Sequence, residues 1–454
     1  MSGARLLVVG GSDAGIAAGL RAREVAPDTE VTVLVADAFP NYSICGIPYL
    51  VSGEVPDWHR LAHRTADDLR AAGLNLRLDT TARSINPVAR EVLVDGGETV
   101  GYDKLVVGTG ATPVWPPIPG LAELGPGDGV HLLHTMADTF AVLQTLEQRR
   151  PERALIVGAG YIGLEMAEAL TTRGCAVTLV EQLPQVMPTL DPPLAELVAD
   201  EVRAAGVEVI TGTRVTGITG KAGVLVVDGD PDLRREVGLV LVCVGVRPDV
   251  GLAAGAGAQL GVRGALAVDR HMRTTLPDVY AAGDGVHTHH RLLDDPAYLP
   301  LGTTAHKQGR VAGENAVGGD REYAGSLGTQ VVKVFDAVAA RTGLNDVEAA
   351  AAGYDPVTVP SVADDHKAYY PGAQPLAMRW TGDRRTGRLL GLQLVGRLGS
   401  EVAKRVDVAA AAIHHGASVD TINDLDLSYT PPLGSPWDAL QIGAQRWLRH
   451  QETR

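Results

Sequence analysis

Short apolar runs and helically spaced apolar positions follow one another along the chain, and their order predicts a layered α/β protein. The run LLVV at residues 6–9 leads into a glycine-rich turn, a stretch of small and apolar residues, and a second apolar run, EVTVLV. This order predicts a buried strand, a helix and a second buried strand, which together form a βαβ unit. The same order recurs in RALIVGAGYIGLEMAEALTTRGCAVTLVEQ at residues 153–182. The sequence therefore predicts two such units.

The pattern changes in the last third of the chain. From residue 328 onward, strand-like alternation is mixed with short helical stretches, and the segments LAMRW, LLGLQLVG and VAKRVDVAAAAIHHGAS predict a strand, a strand and a helix. This part contains no glycine fingerprint for a nucleotide. It therefore predicts a separate α+β domain.

The bulk composition restricts the classes of function. A chain of 454 residues with 45% hydrophobic residues has room for several domains with sizeable cores. Its formal charge of −14 argues against nucleic acid as a partner, and more weakly against an anionic membrane surface. No apolar run reaches the roughly 18 residues of a membrane helix, so no membrane partner is expected.

Cysteine usage indicates the compartment. The chain has 3 scattered cysteines, which cannot build a disulfide framework. No pair of them has zinc-finger spacing, so no metal site is predicted. Such usage fits a reducing compartment, and the first strand begins almost at once, which predicts that there is no signal peptide. We expect a cytoplasmic protein.

The first βαβ unit predicts a dinucleotide site. Its glycine pattern is imperfect, because a serine stands where the second glycine is expected, but serine is small enough to keep the close approach. The acid that binds a ribose is expected at the end of the second strand, where Val35 stands, so we assign that role to Asp37. A glycine turn without a ligand is the alternative. The predicted contacts of this unit are Gly10, Ser12, Ala14, Gly15 and Asp37.

The second βαβ unit carries a complete fingerprint. Glu181 ends its second strand, where a carboxylate accepts hydrogen bonds from both ribose hydroxyls and repels a 2′-phosphate. This unit therefore predicts NADH as the cofactor, with NADPH less favoured. The predicted contacts are Gly158, Gly160, Tyr161, Ile162, Gly163 and Glu181.

Two further segments complete a pattern. YDKLVVGTGATPVWPPIPG predicts a strand followed by a proline-rich crossover, and TTLPDVYAAGDGV predicts a short strand that delivers Asp284 beside a helix start. In this order around the NAD motif, they resemble the two-dinucleotide-binding flavoprotein reductases. The resemblance implies that Asp284 holds the ribityl chain of FAD and that CVGVRPD returns the chain to the FAD domain. It also adds Ala82, Thr109, Gly110, Gly245 and Ala305 to the predicted cofactor contacts.

The resemblance implies an α/β fold with three domains. Two Rossmann-like dinucleotide-binding domains, one for FAD and one for NAD, are followed by a C-terminal α+β dimerisation domain. The FAD domain is expected over residues 1–115 and 249–326, the NAD domain over 116–248, and the interface domain of a homodimer over 327–454. An ordinary α+β domain without a partner is the alternative for the last part.

One cysteine stands in the loop NYSICGIPYLVSG, just after the first βαβ unit. Dithiol reductases carry two cysteines five positions apart here, but Pro40 and Leu50 flank Cys45 at that spacing, so an internal disulfide mechanism is excluded. A lone thiol beside a flavin can form a mixed disulfide, cycle through a sulfenic acid, or simply pack. Cys175 and Cys243 fall in predicted strands and are interpreted as small buried hydrophobic residues.

The segment SICGIPYLVSGEV resembles the active-site loop of coenzyme A-disulfide reductases and their persulfide-reductase relatives. Ile44 replaces the asparagine of that family, and Asp13 stands where the NADH peroxidase and oxidase branch carries a histidine. DHKAYYPGAQPL and DLSYTPPLGSPWD match two interface motifs. The match implies that Tyr369 and Tyr429 reach Cys45 of the other subunit as hydrogen-bond and proton donors. Tyr161 resembles the aromatic gate that covers the flavin.

The resemblance implies a small-molecule thiol or disulfide as substrate. Coenzyme A needs cations for its phosphates, and Arg23 and Arg60 are the predicted binding residues, with His63 and Arg64 nearby. Glu24 stands where a second base is common. If Cys45 attacks the substrate as a thiolate at neutral pH, its pKa is expected to lie below the value of about 8.5 for a free cysteine.

Three functions remain open. The first is an NADH-dependent reductase of low-molecular-weight disulfides or persulfides. The second is an NADH oxidase that uses a Cys45 sulfenate, and the third is a non-catalytic, redox-sensing flavoprotein.

Overall fold

A computed structural model describes residues 4–221, 223–293 and 295–453. The first part of the chain, residues 5–113, begins with the predicted strand, helix and strand. Its elements are β1 (Arg5–Val9), α1 (Asp13–Val25), β2 (Glu30–Leu34), α2 (Ile47–Ser52), α3 (Ala66–Ala71), β3 (Leu74–Arg77), β4 (Ala82–Asn86), β5 (Glu91–Val94), β6 (Thr99–Gly101), β7 (Lys104–Val107) and β8 (Ala111–Pro113).

The next part of the chain, residues 130–242, contains the second predicted βαβ unit. Its elements are β9 (Val130–Leu132), α4 (Met136–Arg149), β10 (Arg153–Val157), α5 (Tyr161–Thr172), β11 (Ala176–Val180), α6 (Pro192–Ala204), β12 (Glu208–Ile210), β13 (Arg214–Lys221), β14 (Val224–Asp230), β15 (Leu233–Val237) and β16 (Leu239–Val242). Strands β12-β11-β10-β16-β9 form a parallel sheet in this order, and β13-β14-β15 form an antiparallel sheet.

The part of the chain from residue 246 to residue 316 returns to the first sheet, which contains β1. Its elements are β17 (Val246–Pro248), α7 (Gly251–Gly255), β18 (Val279–Ala281), β19 (Thr288–His289), β20 (Pro296–Ala297) and α8 (Gly302–Ala316). Strand β18 pairs with β7 in a parallel sheet of order β18-β7-β1-β2-β3. The returning strand β17 pairs antiparallel with the outgoing strand β8. The predicted boundaries at 115/116 and 248/249 fall at these two connectors, and they stay predictions.

The last part of the chain, residues 330–452, is built on an antiparallel sheet. Its elements are β21 (Gln330–Val334), β22 (Ala337–Gly343), α9 (Asp346–Ala351), β23 (Pro356–Asp364), β24 (Pro375–Asp383), β25 (Leu389–Arg397), α10 (Val402–His414), α11 (Val419–Asn423) and α12 (Ala439–Glu452). The strand order is β21-β22-β25-β24-β23. Trp380 and Trp447 are fully buried between this sheet and α12, and the indole of Trp447 donates to the oxygen of Val357 at 2.9 Å.

Helices α1 and α8 pack with their backbones in direct contact. A Cβ on Gly309 would lie 2.2 Å from the carbonyl oxygen of Ala14, and one on Gly313 would lie 2.0 Å from that of Ala18. Side chains are excluded from this contact, so the two helices are held at a short and fixed separation. The N-terminus of α1 is thereby placed beside the first turns of α8.

The described helices include none that is both long and apolar enough to cross a membrane.

Candidate active site at the dinucleotide loops and Cys45

The loop between β1 and α1 has the shape of a dinucleotide cradle. Gly10 has a φ of 119°, and a Cβ there would lie 2.1 Å from the oxygen of Gly108. A Cβ on Gly15 would lie 2.0 Å from the oxygen of Gly10, so only glycine allows this approach. Ser12 caps α1 without a side-chain cap hydrogen bond to any described residue. The first backbone N–H groups of α1 are therefore available to a pyrophosphate.

The loop between β10 and α5 repeats this geometry. Gly158 has a φ of 104°, and a Cβ on Gly163 would lie 1.9 Å from the oxygen of Gly158. No described atom lies within 4 Å of the Cβ position of Gly160, the N-cap of α5, so a ligand has free approach there. Ile162 on the first turn of α5 is partly exposed. The second loop therefore also fits a dinucleotide.

The carboxylate of Glu181 is held over the second loop. It is buried and accepts hydrogen bonds from the backbone N–H of Ala159 at 2.8 Å and of Leu183 at 2.9 Å. These two bonds fix an anionic group at the carboxyl end of β11, where the adenine-side ribose of a dinucleotide lies in this fold. This geometry is compatible with the predicted role of Glu181 as the ribose-binding acid, which stays a prediction.

The corresponding position in the first unit is apolar. Val35 is buried, and its Cγ1 lies 2.5 Å from the position of a Cβ on Gly11, so the valine fills the space beside the loop. Asp37 is exposed, and its Oδ1 accepts a hydrogen bond from the N–H of Phe39 at 2.9 Å. The assignment of Asp37 as the ribose-binding acid stays a prediction.

Asp284 is a half-buried carboxyl group in the turn that follows β18. Burial raises its pKa to about 6, and the carboxylate of Asp13 adds to the effect. The preceding Gly283 has its Cβ position 2.8 Å from the Cβ of Ala14 and 3.7 Å from that of Ala305, which places this strand end against both α1 and α8. A carboxyl group desolvated in this way needs hydrogen-bond donors, which the hydroxyls of a ribityl chain would supply. This contact stays a prediction.

The remaining predicted cofactor contacts lie near the connectors between the first two sheets. The hydroxyl of Thr109 donates to the oxygen of Asp249 at 2.6 Å. Gly110 and Gly245 have φ values of 72° and 105°, which favour glycine. Ala82 is the first residue of β4. Their contacts with a cofactor stay predictions.

Cys45 lies in a 3-10 turn, Ile44–Gly46, directly before α2. Its side chain is exposed, and the turn is tied to the following segment by the N–H of Ser43, which donates to the oxygen of Leu61 at 2.8 Å. The other two cysteines are also free. Cys175 is buried just before β11, and Cys243 is partly buried just after β16, so both lie outside the strands in which they were predicted.

The pKa of Cys45 is the point on which the structure differs from the sequence argument. Although one side of the thiol is open to solvent, the protein atoms on its other sides desolvate the sulfur and raise the pKa of Cys45. The carboxylates of Glu165, Asp13 and Asp284 raise it further. The lowered pKa expected for a redox thiol therefore does not arise from the charged side chains of this chain.

Glu165 is a residue that the sequence analysis missed. It lies on the second turn of α5, where burial raises its pKa to about 7, with the charge of Glu168 adding to the effect and that of Lys333 opposing it. Glu168 itself forms an ion pair with Lys333. The only local signal was the pair of glutamates, Glu165 and Glu168, in the otherwise apolar stretch GLEMAEAL. Together with Tyr49 these residues line a small cavity between α2 and α5.

Tyr161 begins α5 and faces the last domain. Burial raises the pKa of its phenol, whose oxygen lies 3.2 Å from the hydroxyl of Thr189 and hydrogen-bonds the side chain of Gln330. These contacts hold the ring in one position in this structure. Its predicted role as a gate stays a prediction.

The two predicted interface tyrosines lie side by side on the surface. Tyr369 is 72% exposed and Tyr429 is 44% exposed. A side-chain hydrogen bond with Tyr369 is the main cause that raises the pKa of Tyr429. Exposed aromatic side chains of this kind mark an interaction surface.

The guanidinium group of Arg23 bonds within its own turn. It donates to the carbonyl oxygens of Pro27 and Thr29, just after α1. Its predicted role in binding phosphates stays a prediction. Arg60 is exposed in the 3-10 turn Trp58–Leu61, and its role stays a prediction.

A cleft of about 360 Å³ lies between α8 and α10. It is lined by hydroxyl and basic side chains, among them Lys307, Arg291 and His414. None of the predicted site residues that the structure describes lines this cleft. The predicted site is thus a junction of loops at the chain surface and not this cavity.

Two family models match the chain, as the site geometry suggests. Pyridine nucleotide-disulphide oxidoreductase matches residues 4–309, and the dimerisation domain of the same family matches residues 329–439. The chain belongs to the pyridine nucleotide-disulphide oxidoreductase family. This membership confirms the predicted fold class and the predicted enzyme class. The family uses FAD with NAD(P)H.

Similar proteins span nearly the whole chain. An NAD(P)H sulfur oxidoreductase (CoA-dependent) of Pyrococcus furiosus is 32% identical and aligns over 97% of this chain and 98% of its own length. A coenzyme A disulfide reductase of Staphylococcus haemolyticus is 28% identical over 96% and 98%. The structure of a water-forming NADH oxidase from Lactobacillus brevis bound to NADH has a TM-score of 0.93 and 29% identity, with 99% of each chain covered. The resemblance to coenzyme A-disulfide reductases is confirmed.

The charge of Glu165 gives a first prediction. Above about pH 7 its carboxylate is ionised and opposes the Cys45 thiolate, so Glu165→Gln lowers the pKa of Cys45. The rate of Cys45 alkylation by iodoacetamide, followed by mass spectrometry across pH, then rises at lower pH than in the wild type. Glu54→Gln is the matched control, because that exposed carboxylate acts on Tyr49. An unchanged alkylation profile in Glu165→Gln contradicts the assignment.

Proposed function

We propose that the chain is a homodimeric, FAD-containing enzyme that uses NADH to reduce a low-molecular-weight disulfide or persulfide through Cys45. One observation carries this proposal. The thiol lies in a turn whose following helix, α2, packs against the NAD-type helix α5, and the N–H of Asn41 in the same loop donates to the oxygen of Gly11 in the FAD-type loop. It is therefore at the junction of the two dinucleotide cradles. The similarity to sulfur and coenzyme A-disulfide reductases supports the same reaction class.

The two cradles divide the cofactor roles. The first loop and Asp284 would hold FAD, and the second loop with Glu181 would hold NADH. When bound, FAD supplies a two-electron carrier between the nicotinamide and the thiol. Tyr161 at the start of α5 separates the two cradles until the dinucleotide enters.

Cys45 acts as the nucleophile. Its thiolate attacks one sulfur of the substrate disulfide, the S–S bond breaks, and one half leaves as a thiolate while the other stays on Cys45 as a mixed disulfide. Two electrons that originate from NADH then cleave the mixed disulfide, which releases the second thiol and restores the Cys45 thiolate. This cycle needs only one thiol. Neither Cys175 nor Cys243 has the five-residue spacing from Cys45 that the two cysteines of dithiol reductases have.

The leaving thiolates need a proton donor. Tyr369 and Tyr429 of the partner subunit fit this role, because their phenols are exposed on the dimerisation domain and hydrogen-bonded to each other. A donor from the partner also balances the carboxylates that surround Cys45 within its own chain. This arrangement makes the homodimer part of the active site.

An NADH oxidase is the second candidate function. The similarity to the water-forming NADH oxidase favours it, and an exposed Cys45 thiol is accessible to oxidation. In this reaction Cys45 cycles through a sulfenic acid. Asp13 at the position of the histidine in that branch of the family is the argument against it.

The role of Cys45 is tested by Cys45→Ser. The variant keeps FAD and accepts hydride from NADH, seen as bleaching of the flavin absorbance, since both cradles are intact. It loses NADH-dependent disulfide reduction, because a serine cannot form the mixed disulfide. Cys175→Ser is the matched control, since a hydroxyl keeps the hydrogen bond to the oxygen of Pro151. Wild-type disulfide turnover by Cys45→Ser makes the thiol structural, and undiminished oxygen consumption without disulfide activity in either form favours the oxidase.

The cofactor preference is tested at Glu181. Glu181→Gln removes the charge that repels a 2′-phosphate and keeps an acceptor for one of the two backbone N–H groups, which bond to different carboxylate oxygens in the wild type. The ratio of kcat/KM for NADH over NADPH is expected to fall by about tenfold, equivalent to about 1.4 kcal/mol. Glu208→Gln on the neighbouring strand β12 is the control and leaves the ratio unchanged. A wild-type preference for NADPH overturns the assignment.

The shared active site is tested with heterodimers. A Cys45→Ser chain is co-expressed with a chain that carries Tyr369→Phe and Tyr429→Phe, and the heterodimer is isolated through two different tags. One of its two sites then combines a native Cys45 with native tyrosines, so about half of the wild-type activity returns. The tyrosine-variant homodimer alone is expected to be slowed by roughly 10²- to 10⁴-fold. A heterodimer no more active than its parents, or a monomer by light scattering, contradicts the shared site.

A further inference from the structure

Three side chains with metal-ligating atoms converge at the start of α1. Asp13 is the first residue of that helix, His63 lies before α3, and His306 lies on the second turn of α8. Oδ1 of Asp13 is 3.3 Å from Nε2 of His306 and 4.0 Å from Nε2 of His63. All three ligand atoms lie within 4.8 Å of one another.

These separations match a tetrahedral metal site. Ligands that lie about 2.0–2.1 Å from a zinc ion in tetrahedral geometry are roughly 3.4 Å apart. The distance from Oδ1 of Asp13 to Nε2 of His306 already has about this value. A small rotation of the half-exposed His63 ring shortens the distance from its Nε2 to Oδ1 of Asp13 to the same value. Two imidazoles and one carboxylate are ligands that suit zinc and related divalent ions. We propose that Asp13, His63 and His306 form a binding site for a divalent cation of the zinc class.

The carboxylate of Asp13 lacks a partner of good geometry. Its Oδ1 is shielded from solvent and accepts no hydrogen bond within the described part of the chain. The carboxyl group of Asp284 lies near enough for the two to repel each other. A shielded anionic oxygen beside a second carboxyl group is costly without a compensating charge. A cation held between Asp13 and the two imidazoles supplies that charge.

The backbone positions all three residues. The N–H of Asn41 donates to the oxygen of Gly11 at 2.7 Å, and the N–H of His63 donates to the oxygen of Asn41 at 2.9 Å. This chain of two bonds ties the His63 segment to the loop before Asp13. His306 is fixed by the glycine contact between α1 and α8. The ligands are thus carried by elements that are held together without the ion, as a preformed site requires.

The site is accessible and incomplete, as expected for an exchangeable ion. The side chains of His63 and His306 are both 45% exposed, so an ion enters from solvent. Three protein ligands leave a fourth position for water or an anionic sulfur ligand. Since the segment that carries His63 also pairs with the Cys45 turn, this position is on the same surface of the molecule as the redox thiol. The site is independent of whether the enzyme reduces disulfides or oxygen.

Zinc binding to the untagged, FAD-loaded protein tests the proposal. The protein is treated with a chelator, exchanged into metal-free buffer and titrated with zinc chloride by calorimetry, and the bound metal is counted by mass spectrometry after gel filtration. The wild type is expected to bind one zinc ion per chain. His306→Ala and His63→Ala are expected to weaken binding by more than the roughly 10- to 100-fold that loss of an outer-shell partner costs. Both side chains are half exposed, so the variants are expected to fold and to keep FAD.

Two matched controls separate this site from others. His59→Ala removes an exposed histidine of the same segment that pairs with Asp57, and it leaves zinc binding unchanged. Cys45→Ser also leaves binding unchanged, which excludes the thiol as the ligand. The proposal is overturned if the wild type takes up no zinc, if His306→Ala and His63→Ala bind it as tightly as the wild type, or if binding is lost in either control. In the first case the cluster is a pair of histidine–carboxylate contacts without a metal.

Discussion

The direct backbone contact between α1 and its neighbours is the constraint on which the rest of this structure depends. Gly15 lets α1 approach the end of β1, and Gly10 lets the turn before α1 approach Gly108 after β7. Gly309 and Gly313 let α8 approach α1 from the other side. Any side chain at these positions would overlap a carbonyl group at about 2 Å. Because the helix is held on both sides, its N-terminus, the half-buried Asp284 and the first turns of α8 share one small region, which is where the first dinucleotide cradle lies.

The electrostatics of this region disfavour the thiolate of Cys45. Desolvation is the largest cause of its raised pKa, and the carboxyl groups of Glu165, Asp13 and Asp284 add to it. A thiol in such surroundings is protonated near neutral pH, although its exposed position suits a nucleophile. In the proposed enzyme, the bound cofactor and the partner's tyrosines would supply the compensation. Cofactor binding, dimer formation and thiol activation would then be coupled physically, because each would bring a donor or positive potential to the same sulfur.

The connection between the domains places the residues of the two cradles near one thiol. Strands β8 and β17 are paired as the outgoing and returning connectors, so the NAD-type unit is attached to the FAD-type unit through a short antiparallel ribbon. Helix α5 then packs against α2, which follows the Cys45 turn, and it carries Glu165 toward the thiol. The last domain contacts α5 through Gln330 and Lys333. The site thus lies where three separately folded sheets meet, and its shape depends on their relative positions more than on any single loop.

The sequence by itself determined the elements whose signals are local. The two glycine turns, the strands around them, Glu181 at a strand end and the lone Cys45 were predictable because backbone conformation and strand period depend on adjacent residues. Tertiary structure alone decided the rest. Arg23 bonds to carbonyl groups of its own turn, Glu165 becomes a half-buried acid with a raised pKa, and Asp13, His63 and His306 meet from positions far apart in the chain. Desolvation and through-space charge depend on which segments pack together, and no spacing along the chain records that.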